Sequence, residues 1–486
     1  MTAGKVRGHC EAVCIKNDGM NLLIILAPLI FLMWVAYRGH SVILFAPIAA
    51  LGAVLLTDPA LVAPMFTGLF MEKMAGFLKL YFPVFLLGAI FGKLIELSGF
   101  SKSIVSATIR LFGPQRVMLS IVTVCALLTY GGVSLFVVVF AVYPFAAELF
   151  RKADIPKRLI PGTIALGAFT FTMDALPGTP QIQNIIPSSF FGTGTWAAPV
   201  LGTAGGIFIL ALGLLYLNSR RRAALANGEG YGDPDSLSNE PAAFTGGALA
   251  HPLIALLPLV LVGVCNKLFS VWIPALYGDS HSFDPAVIGS AAPVVQEISK
   301  VAAIWAVQGA LLVGILSVLA LAWTPVVSRF AEGSRTAISG AMLSAMNTAS
   351  EYGFGAVIAA LPGFLIVADA LAAIPDPLIN EAITVTSLAG ITGSASGGMS
   401  IAWAAMSETF ISNANAAQIP MEVLHRVAAM ASGGMDTLPH NGAVITLLAV
   451  TGLTHRQSYK DIFAITIIKT MAVFFIIALY YSTGLI

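Results

Sequence analysis

The sequence predicts an all-α polytopic membrane protein built from two related halves, and three observations point to this fold. The chain is 57% hydrophobic and only 10% charged, whereas about a quarter of the residues in a soluble globular protein are charged. It contains apolar runs close to the ~20 residues that a bilayer-spanning helix requires. A polar, proline-containing motif interrupts the apolar pattern once in each half.

The apolar runs are spread over the whole chain, and the mean hydropathy of +0.88 reflects them. Six runs approach or reach the length of a membrane span: 21–37, 42–56, 197–217, 252–268, 301–323 and 462–481. Together with the shorter runs between them, they predict about 10–14 membrane segments. The lipid bilayer is therefore the expected surrounding of most of the chain.

The charge balance and the cysteines exclude several classes of protein. A net charge of +1 gives no reason to expect a nucleic-acid partner. The four cysteines are Cys10, Cys14, Cys125 and Cys265, and their spacing predicts neither a metal site nor a disulfide framework. No Walker-type nucleotide motif is present in the sequence. We expect no cofactor apart from a coupling ion.

The polar residues divide the chain into an N-terminal extension (1–19), a first transmembrane repeat (20–217), a linker (218–250) and a second transmembrane repeat (251–486). We interpret the extension as a disordered tail or as residues upstream of a start at Met20. Three arginines, Arg220 to Arg222, lie at the beginning of the linker. By the positive-inside rule they predict that the linker is cytoplasmic.

A glycine-rich break predicts a membrane hairpin in the first half. Tyr130-Gly131-Gly132-Val133-Ser134 lies between the half-length apolar runs 117–129 and 135–145. Because neither run spans a bilayer alone, this pattern is typical of a re-entrant hairpin or an interrupted helix. A second stretch of small residues, 394–400, precedes another short apolar run in the second half.

Three motifs occur in the same order in both halves, which indicates an internal duplication. Gly-Gly-x-Ser begins at 131 and again at 397, an offset of 266 residues. Ile-Pro begins at 155 and 419, an offset of 264, and Asp-x-Leu-Pro begins at 174 and 436, an offset of 262. Duplications of this kind are common among secondary transporters.

The breaks are the predicted binding site for a small organic anion. A broken helix exposes unpaired N–H groups and the positive end of its dipole, and both favour an oxyanion. The alternative is close helix packing, for which small residues are also favoured. The candidate substrate-binding residues of the two hairpins are Gly131, Gly132, Ser134, Ser394, Ser396, Gly397, Gly398 and Ser400.

Asp174 and Asp436 are the candidate ion-coupling residues. A carboxylate within the membrane is costly, and it usually faces the interior and binds or relays an ion. The alternative is an aspartate that caps a helix next to a Pro-Gly turn.

Three further residues of the polar motifs are candidate substrate ligands. His440 can titrate in the physiological range and can donate to a carboxylate. Asn441 aligns with Thr179, and both are neutral donors. The alternative for each of them is a solvated turn. Arg426 is a candidate partner for a carboxylate, although an i,i+4 pair with Glu422 explains it equally well.

These motifs resemble those of the gluconate permease family of the ion-transporter superfamily, over nearly the whole chain from about residue 21. The matching features are Tyr130-Gly-Gly-Val-Ser134, the Ile-Pro turn, the Pro-Gly break, the small-residue stretch 394–400 and the His440-Asn441 turn. The stretch 433–459 is most similar to the hydroxybutyrate permease branch of that family.

The resemblance implies that the two repeats are inverted, each with a re-entrant hairpin and an interrupted helix. It also implies a symporter of the cell inner membrane that imports a small hydroxy-monocarboxylate with protons, and it makes a homodimer the expected assembly. We expect 3-hydroxybutyrate rather than gluconate, because both motifs depart from those of the gluconate-transporting members. Sodium is the alternative coupling ion.

Three other functions fit parts of the pattern. A sodium-coupled di- or tricarboxylate carrier of the citrate type would share the superfamily layout. An intramembrane enzyme would use the aspartate pair, but no nucleophile–base pair or metal-spaced histidine cluster accompanies it in the sequence. A channel is disfavoured, because interrupted helices in two copies favour alternating access. We therefore predict a transporter and not an enzyme.

Overall fold

The computed structural model describes residues 19–35, 38, 40–113, 116–232, 237–241, 249–284 and 294–486. The predicted N-terminal extension lies outside these residues except for Gly19, which begins the first helix. The described chain is helical almost throughout, and a short antiparallel ribbon pairs β1 (Ser280–Phe283) with β2 (Val294–Glu297).

The first half of the chain contains ten α-helices of four or more residues within the described part. They are α1 (Gly19–Val35), α2 (Val42–Thr57), α3 (Met71–Leu97), α4 (Phe100–Phe112), α5 (Val117–Tyr130), α6 (Leu135–Lys152), α7 (Ile160–Ala168), α8 (Phe171–Asp174), α9 (Ile182–Phe191) and α10 (Pro199–Ala226).

The second half repeats this order around a similar pair of breaks. Its helices are α11 (Pro252–Tyr277), α12 (Ala302–Leu321), α13 (Trp323–Val327), α14 (Phe330–Ala359), α15 (Gly363–Ala372), α16 (Pro377–Thr392), α17 (Ala395–Ala416), α18 (Met421–Ser432), α19 (Gly442–Thr451) and α20 (His455–Thr483).

The predicted class of an all-α polytopic membrane protein is confirmed. Five helical stretches of the described chain are long and apolar enough to cross a membrane: Pro59–Leu97, Pro199–Ala226, Pro252–Tyr277, Ala302–Leu321 and His455–Thr483. Large apolar side chains on their outer faces are exposed, for example Leu276 and Leu215. This is expected where the surrounding solvent is lipid.

The shorter helices α7 and α18 lie at the centre of the fold. Every residue of α7 is buried, and α18 is buried except at Met421 and Glu422. Each of these helices follows an Ile-Pro turn and ends at one of the two polar breaks. The breaks are therefore held in the interior by the most buried helices in the described chain.

The predicted hairpins are present, but the tip of the second is shifted from the predicted position. The first tip lies between Tyr130 and Leu135, as expected, and Ser134 is the N-cap of α6. The second tip lies at Gly393 and Ser394, the C-cap of α16 and the N-cap of α17. The two capping serines are 260 residues apart (134 to 394) rather than 266.

The alignment of the two Gly-Gly-x-Ser motifs was therefore wrong. A tip requires a glycine that can adopt a positive φ and a residue that can cap the next helix. Gly132 and Gly393, with φ of 95° and 66°, meet the first requirement. Gly397, Gly398 and Ser400 instead lie within the first turns of α17.

Three stretches that are rich in polar residues, glycine or proline are helical. Residues 57–79 belong mostly to the long helix that begins at Pro59, where a proline in the first turn removes no needed N–H group. A π-helical segment, Met65–Phe70, leads into α3. Residues 181–196 contain α9, and residues 334–346 lie inside the 30-residue helix α14.

The linker packs against both repeats. Glu229 is 2.6 Å from Arg158 Nε, and this guanidinium lowers the pKa of the Glu229 carboxyl. Glu240 pairs with Arg151 and Lys157 at 2.8 and 2.7 Å. From the same segment, the side-chain amide of Asn239 donates to the carbonyl of Ala449 in the second repeat, at 2.8 Å. The described part of the linker thus joins the two halves.

Candidate functional site

The two polar breaks meet in the interior of the protein. Asp174, at the first break, is 2% exposed, and its carboxylate lies against Gly433 at the second break. A Cβ atom at Gly433 would overlap Asp174 Oδ2. The two breaks can therefore approach this closely only because residue 433 is a glycine. The other oxygen, Asp174 Oδ1, has no hydrogen-bond partner among the described residues.

Asp436 forms a buried ion pair that ties the second break to the C-terminal helix. Its Oδ1 contacts Lys469 Nζ, and Lys469 is 1% exposed in the middle of α20. The same ammonium group donates to the carbonyl of Phe169, next to the first break, at 3.2 Å. Lys469 therefore connects both breaks.

Arg426 fills the space between the two breaks and is fully buried. Nε donates to the carbonyl of Ala197 at 3.2 Å, and Nη1 donates to Asp174 O and Asn184 Oδ1, both at 2.9 Å. Nη2 donates to the carbonyls of Ala197 and Thr195 at 2.8 and 3.5 Å. A guanidinium has five N–H donors, so the protein itself engages all of them.

The predicted role of Arg426 as a carboxylate partner is not supported by this geometry. The alternative pair with Glu422 does not form either, because Glu422 is exposed while Arg426 points inward. Its role in the described structure is to hold the first break through backbone oxygens.

Each hairpin is hydrogen-bonded to the polar break of its own repeat. In the first repeat, Gln181 Nε2 donates to the carbonyl of Thr129 at 2.7 Å. In the second, Asn441 Nδ2 donates to the carbonyl of Gly393, also at 2.7 Å. Gln181 and Asn441 are the N-caps of α9 and α19. They are 260 residues apart, so Asn441 corresponds to Gln181 and not to Thr179.

The predicted ligands of the first repeat differ in how free they are to bind. Thr179 is fully buried, and its hydroxyl donates to the carbonyl of Thr172 at 2.7 Å. Gly131 packs against Leu259, and Gly132 packs against Leu311. Ser134 is half-buried and begins α6 without a side-chain capping bond. Of these four residues, only Ser134 has a hydroxyl that is available to bind a ligand, and it lies at the uncapped N-terminus of α6.

The predicted ligands of the second repeat are mostly engaged with their neighbours. Ser394 accepts a hydrogen bond from the N–H of Gly397 at 3.0 Å. Ser396 lies 3.2 Å from Thr348 Oγ1. Gly398 lies against the backbone of Ala389, as close helix packing requires. Ser400 is buried, and its hydroxyl has no partner among the described residues.

His440 lies beside the second hairpin tip. Its ring lies against Gly393 and close to the backbone of Gly390 and Ile391. Nε2 is buried and has no partner within the described structure. Asn441, the next residue, uses both ends of its amide, since Oδ1 also accepts from the N–H of Val444 at 2.9 Å. Of the two, His440 is the one with a free polar atom.

Sequence reasoning missed Lys469 and Glu351. Lys469 lies inside the apolar run 462–481, and a lysine in the middle of a spanning helix is itself a signal of a buried partner. Glu351 is 3% exposed in α14. His425 is also fully buried, and its Nδ1 lies 2.6 Å from Thr193 Oγ1.

We expect Gly433→Ala to damage the contact between the two breaks. The added methyl group would overlap Asp174 Oδ2 and would force the breaks apart, at a cost of about 1–3 kcal/mol. Thermal unfolding of the purified variant in detergent measures this loss. Gly442→Ala is the matched control, because its Cβ meets no atom within 4 Å. Equal unfolding midpoints for the two variants would contradict the proposed contact.

A membrane-spanning helical bundle with two broken-helix repeats that meet at buried charges defines a membrane transport protein. No protein-family model matches the sequence. The chain is 59% identical over 475 residues to the Uncharacterized transporter YxjC of Bacillus subtilis (strain 168), and the alignment covers 96% of this chain and 100% of that protein.

The fold is similar to that of a solved transporter. The crystal structure of the Alcanivorax borkumensis YdaH transporter, described as revealing an unusual topology, matches with a TM-score of 0.50 and 14% sequence identity. The match covers 96% of this chain and 98% of that chain.

This chain belongs to the family of the transporter YxjC. The predictions of a transporter rather than an enzyme, and of a multi-pass membrane protein, are confirmed. The closer similarity to hydroxybutyrate permeases stays a prediction.

Proposed function

We propose that the protein is a proton-coupled symporter of the cell inner membrane that imports a small hydroxy-monocarboxylate such as 3-hydroxybutyrate or gluconate. The observation that supports this most is the convergence of two broken helices, with Lys469 contacting both breaks. In secondary transporters, discontinuous helices at a repeat interface bind the substrate and the coupling ion.

The helix N-termini at the two hairpin tips favour an anion as substrate. Unpaired N–H groups and the helix dipole attract a carboxylate without a charged side chain. α6 begins at the half-buried Ser134 without a side-chain cap. Arg426 has no donor left, so a full positive charge is not offered to the substrate. A monocarboxylate suits such a site better than citrate, whose further negative charges would require compensation.

Asp174 and Asp436 belong to a cluster that also contains Arg426 and Lys469. Asp436 forms an ion pair with Lys469, whereas Asp174 Oδ1 has no partner in the described chain, and Arg426 donates to the backbone carbonyl of Asp174. The ion-coupling role of the two aspartates stays a prediction. In our proposal their main contribution is to join the two breaks.

The test is uptake of labelled 3-hydroxybutyrate, gluconate and citrate into proteoliposomes, with a pH gradient and a sodium gradient applied separately. We expect accumulation of a monocarboxylate driven by an inward proton gradient, and no accumulation of citrate. Protein-free liposomes under the same gradients are the control.

Two results would contradict this proposal and favour a different transport function. Citrate accumulation driven by sodium would support the di- or tricarboxylate carrier. Downhill flux that no gradient can turn into accumulation would indicate a channel.

A further inference from the structure

A buried carboxylate lies at the tip of the second hairpin. Glu351 is 3% exposed in the middle of α14, and a Cβ atom at Gly397 would overlap its Oε2. Its side chain lies beside the hydroxyl of Ser394, the N-cap of α17. Oε2 has no partner among the residues that the structure describes. The carboxylate therefore faces the N-terminal turn of α17 with one oxygen free.

The contact between α14 and α17 fixes this position. Thr348 and Ser396 are 3.2 Å apart, and a Cβ atom at Gly355 would overlap Ile401. Glu351 lies between these two contacts in the sequence, so the packing of α14 against α17 holds its backbone beside the hairpin tip.

The surroundings of Glu351 contain no compensating cation within the described structure. On its own helix, the neighbouring Tyr352 packs against Phe77 of α3, and Tyr81 of α3 lies close to Tyr352. The segment before α3 contributes Phe70, which lies against Gly353. α2 has no titratable side chain between residues 42 and 57. On α17, only hydroxyls and glycines face the carboxylate, and Glu408 is exposed four turns away.

This setting differs from that of the two aspartates. Asp436 contacts Lys469, and Arg426 donates to the backbone carbonyl of Asp174, so a cation lies close to each aspartate. Glu351 has only the hydroxyl of Ser394 and the dipole of α17 to favour its charged form. An anion at the N-terminus of α17 would place a second negative charge beside it, and like charges in one site favour protonation of one of them.

We propose that Glu351 is the proton-carrying group of the transport cycle, and that an organic anion bound at the N-terminus of α17 favours its protonated form. This inference rests on the proposed symport. One proton joins the Glu351 carboxylate for each monoanion bound, so the loaded site has the same net charge as the empty one. Both leave together on the other side of the membrane.

The test compares Glu351→Gln with the wild type in proteoliposomes, using the carboxylate that the wild type accumulates. Two quantities are measured. The first is the ratio of internal to external substrate in a pH gradient of one unit, and the second is the rate of exchange of labelled for unlabelled substrate at equal pH. For one proton per monoanion, the wild type accumulates substrate about tenfold. In Glu351→Gln we expect this ratio to fall to about 1, whereas exchange persists and no longer depends on pH.

Glu381→Gln is the matched control. Glu381 is fully buried, and neither of its carboxylate oxygens has a partner in the described chain. It lies in α16 roughly 16 Å along the helix axis from the hairpin tip. We expect this variant to keep both accumulation and exchange.

Four results would overturn the inference. Glu351→Gln could accumulate substrate like the wild type, or it could lose exchange together with accumulation while it remains folded. Asp174→Asn or Glu381→Gln could give the uncoupled behaviour instead. If Glu351→Gln does not fold, Glu351→Ala is measured in the same way, and proton-driven accumulation by that variant would refute the role of Glu351. If the wild type itself accumulates no carboxylate, the proposed function fails first.

Discussion

Asp436→Asn is expected to abolish gradient-driven accumulation and to lower the stability of the protein strongly. The substitution leaves Lys469 buried and without its carboxylate partner, at 1% exposure. Breaking a buried ion pair from one side costs about 3–5 kcal/mol. The second break would then lose its attachment to α20. Uptake assays and thermal unfolding of the same preparation measure both effects.

The double variant Asp436→Asn with Lys469→Met separates the two roles of Asp436. Removing both charges should recover most of the lost stability, because no unpaired charge remains. Since we propose that the Asp436–Lys469 pair mainly attaches the second break to α20, we expect accumulation to recover in part as well. A double variant that is stable but does not accumulate substrate would instead assign ion coupling to Asp436.

Arg426→Gln is the second change with a large expected effect. It replaces five donors by two on a shorter side chain, at a site where Asp174 O, Asn184 Oδ1 and the carbonyl of Ala197 are buried. Each buried acceptor left without a donor costs about 1–3 kcal/mol. We expect loss of transport together with a large drop in the unfolding midpoint.

Arg426→Lys should not rescue this loss, because an ammonium group has three donors and cannot reproduce the planar fork. Arg456→Gln is the matched control, since Arg456 is exposed at the start of α20. If Arg426→Lys were as stable and active as the wild type, a single positive charge would be sufficient. That result would contradict the role assigned to the individual hydrogen bonds.

The features that could be predicted are those that the local sequence determines. The first hairpin follows from Tyr130 to Ser134, because a glycine-rich break between two half-length runs has few other interpretations in a membrane. The pair between Lys93 and Glu96, with a distance of 2.8 Å, follows from i,i+3 spacing on one helix.

The features that could not be predicted depend on contacts between distant residues. Lys469 and Phe169 are 300 positions apart in the sequence, so no local pattern predicts their contact. The second tip was misplaced because Gly397 and Gly398 imitate the first tip, although here they make room for Glu351 and α16. Thr179 was expected to bind substrate, but its hydroxyl bonds to Thr172 within the same break.

The steady-state accumulation ratio of the transported monocarboxylate, measured in proteoliposomes as the imposed pH gradient is varied, tests the central claim most directly. For proton-coupled symport with one proton per monoanion, the ratio should rise about tenfold for each pH unit. It should not change when a sodium gradient is added. A ratio that stays near 1 at every pH gradient would contradict the account.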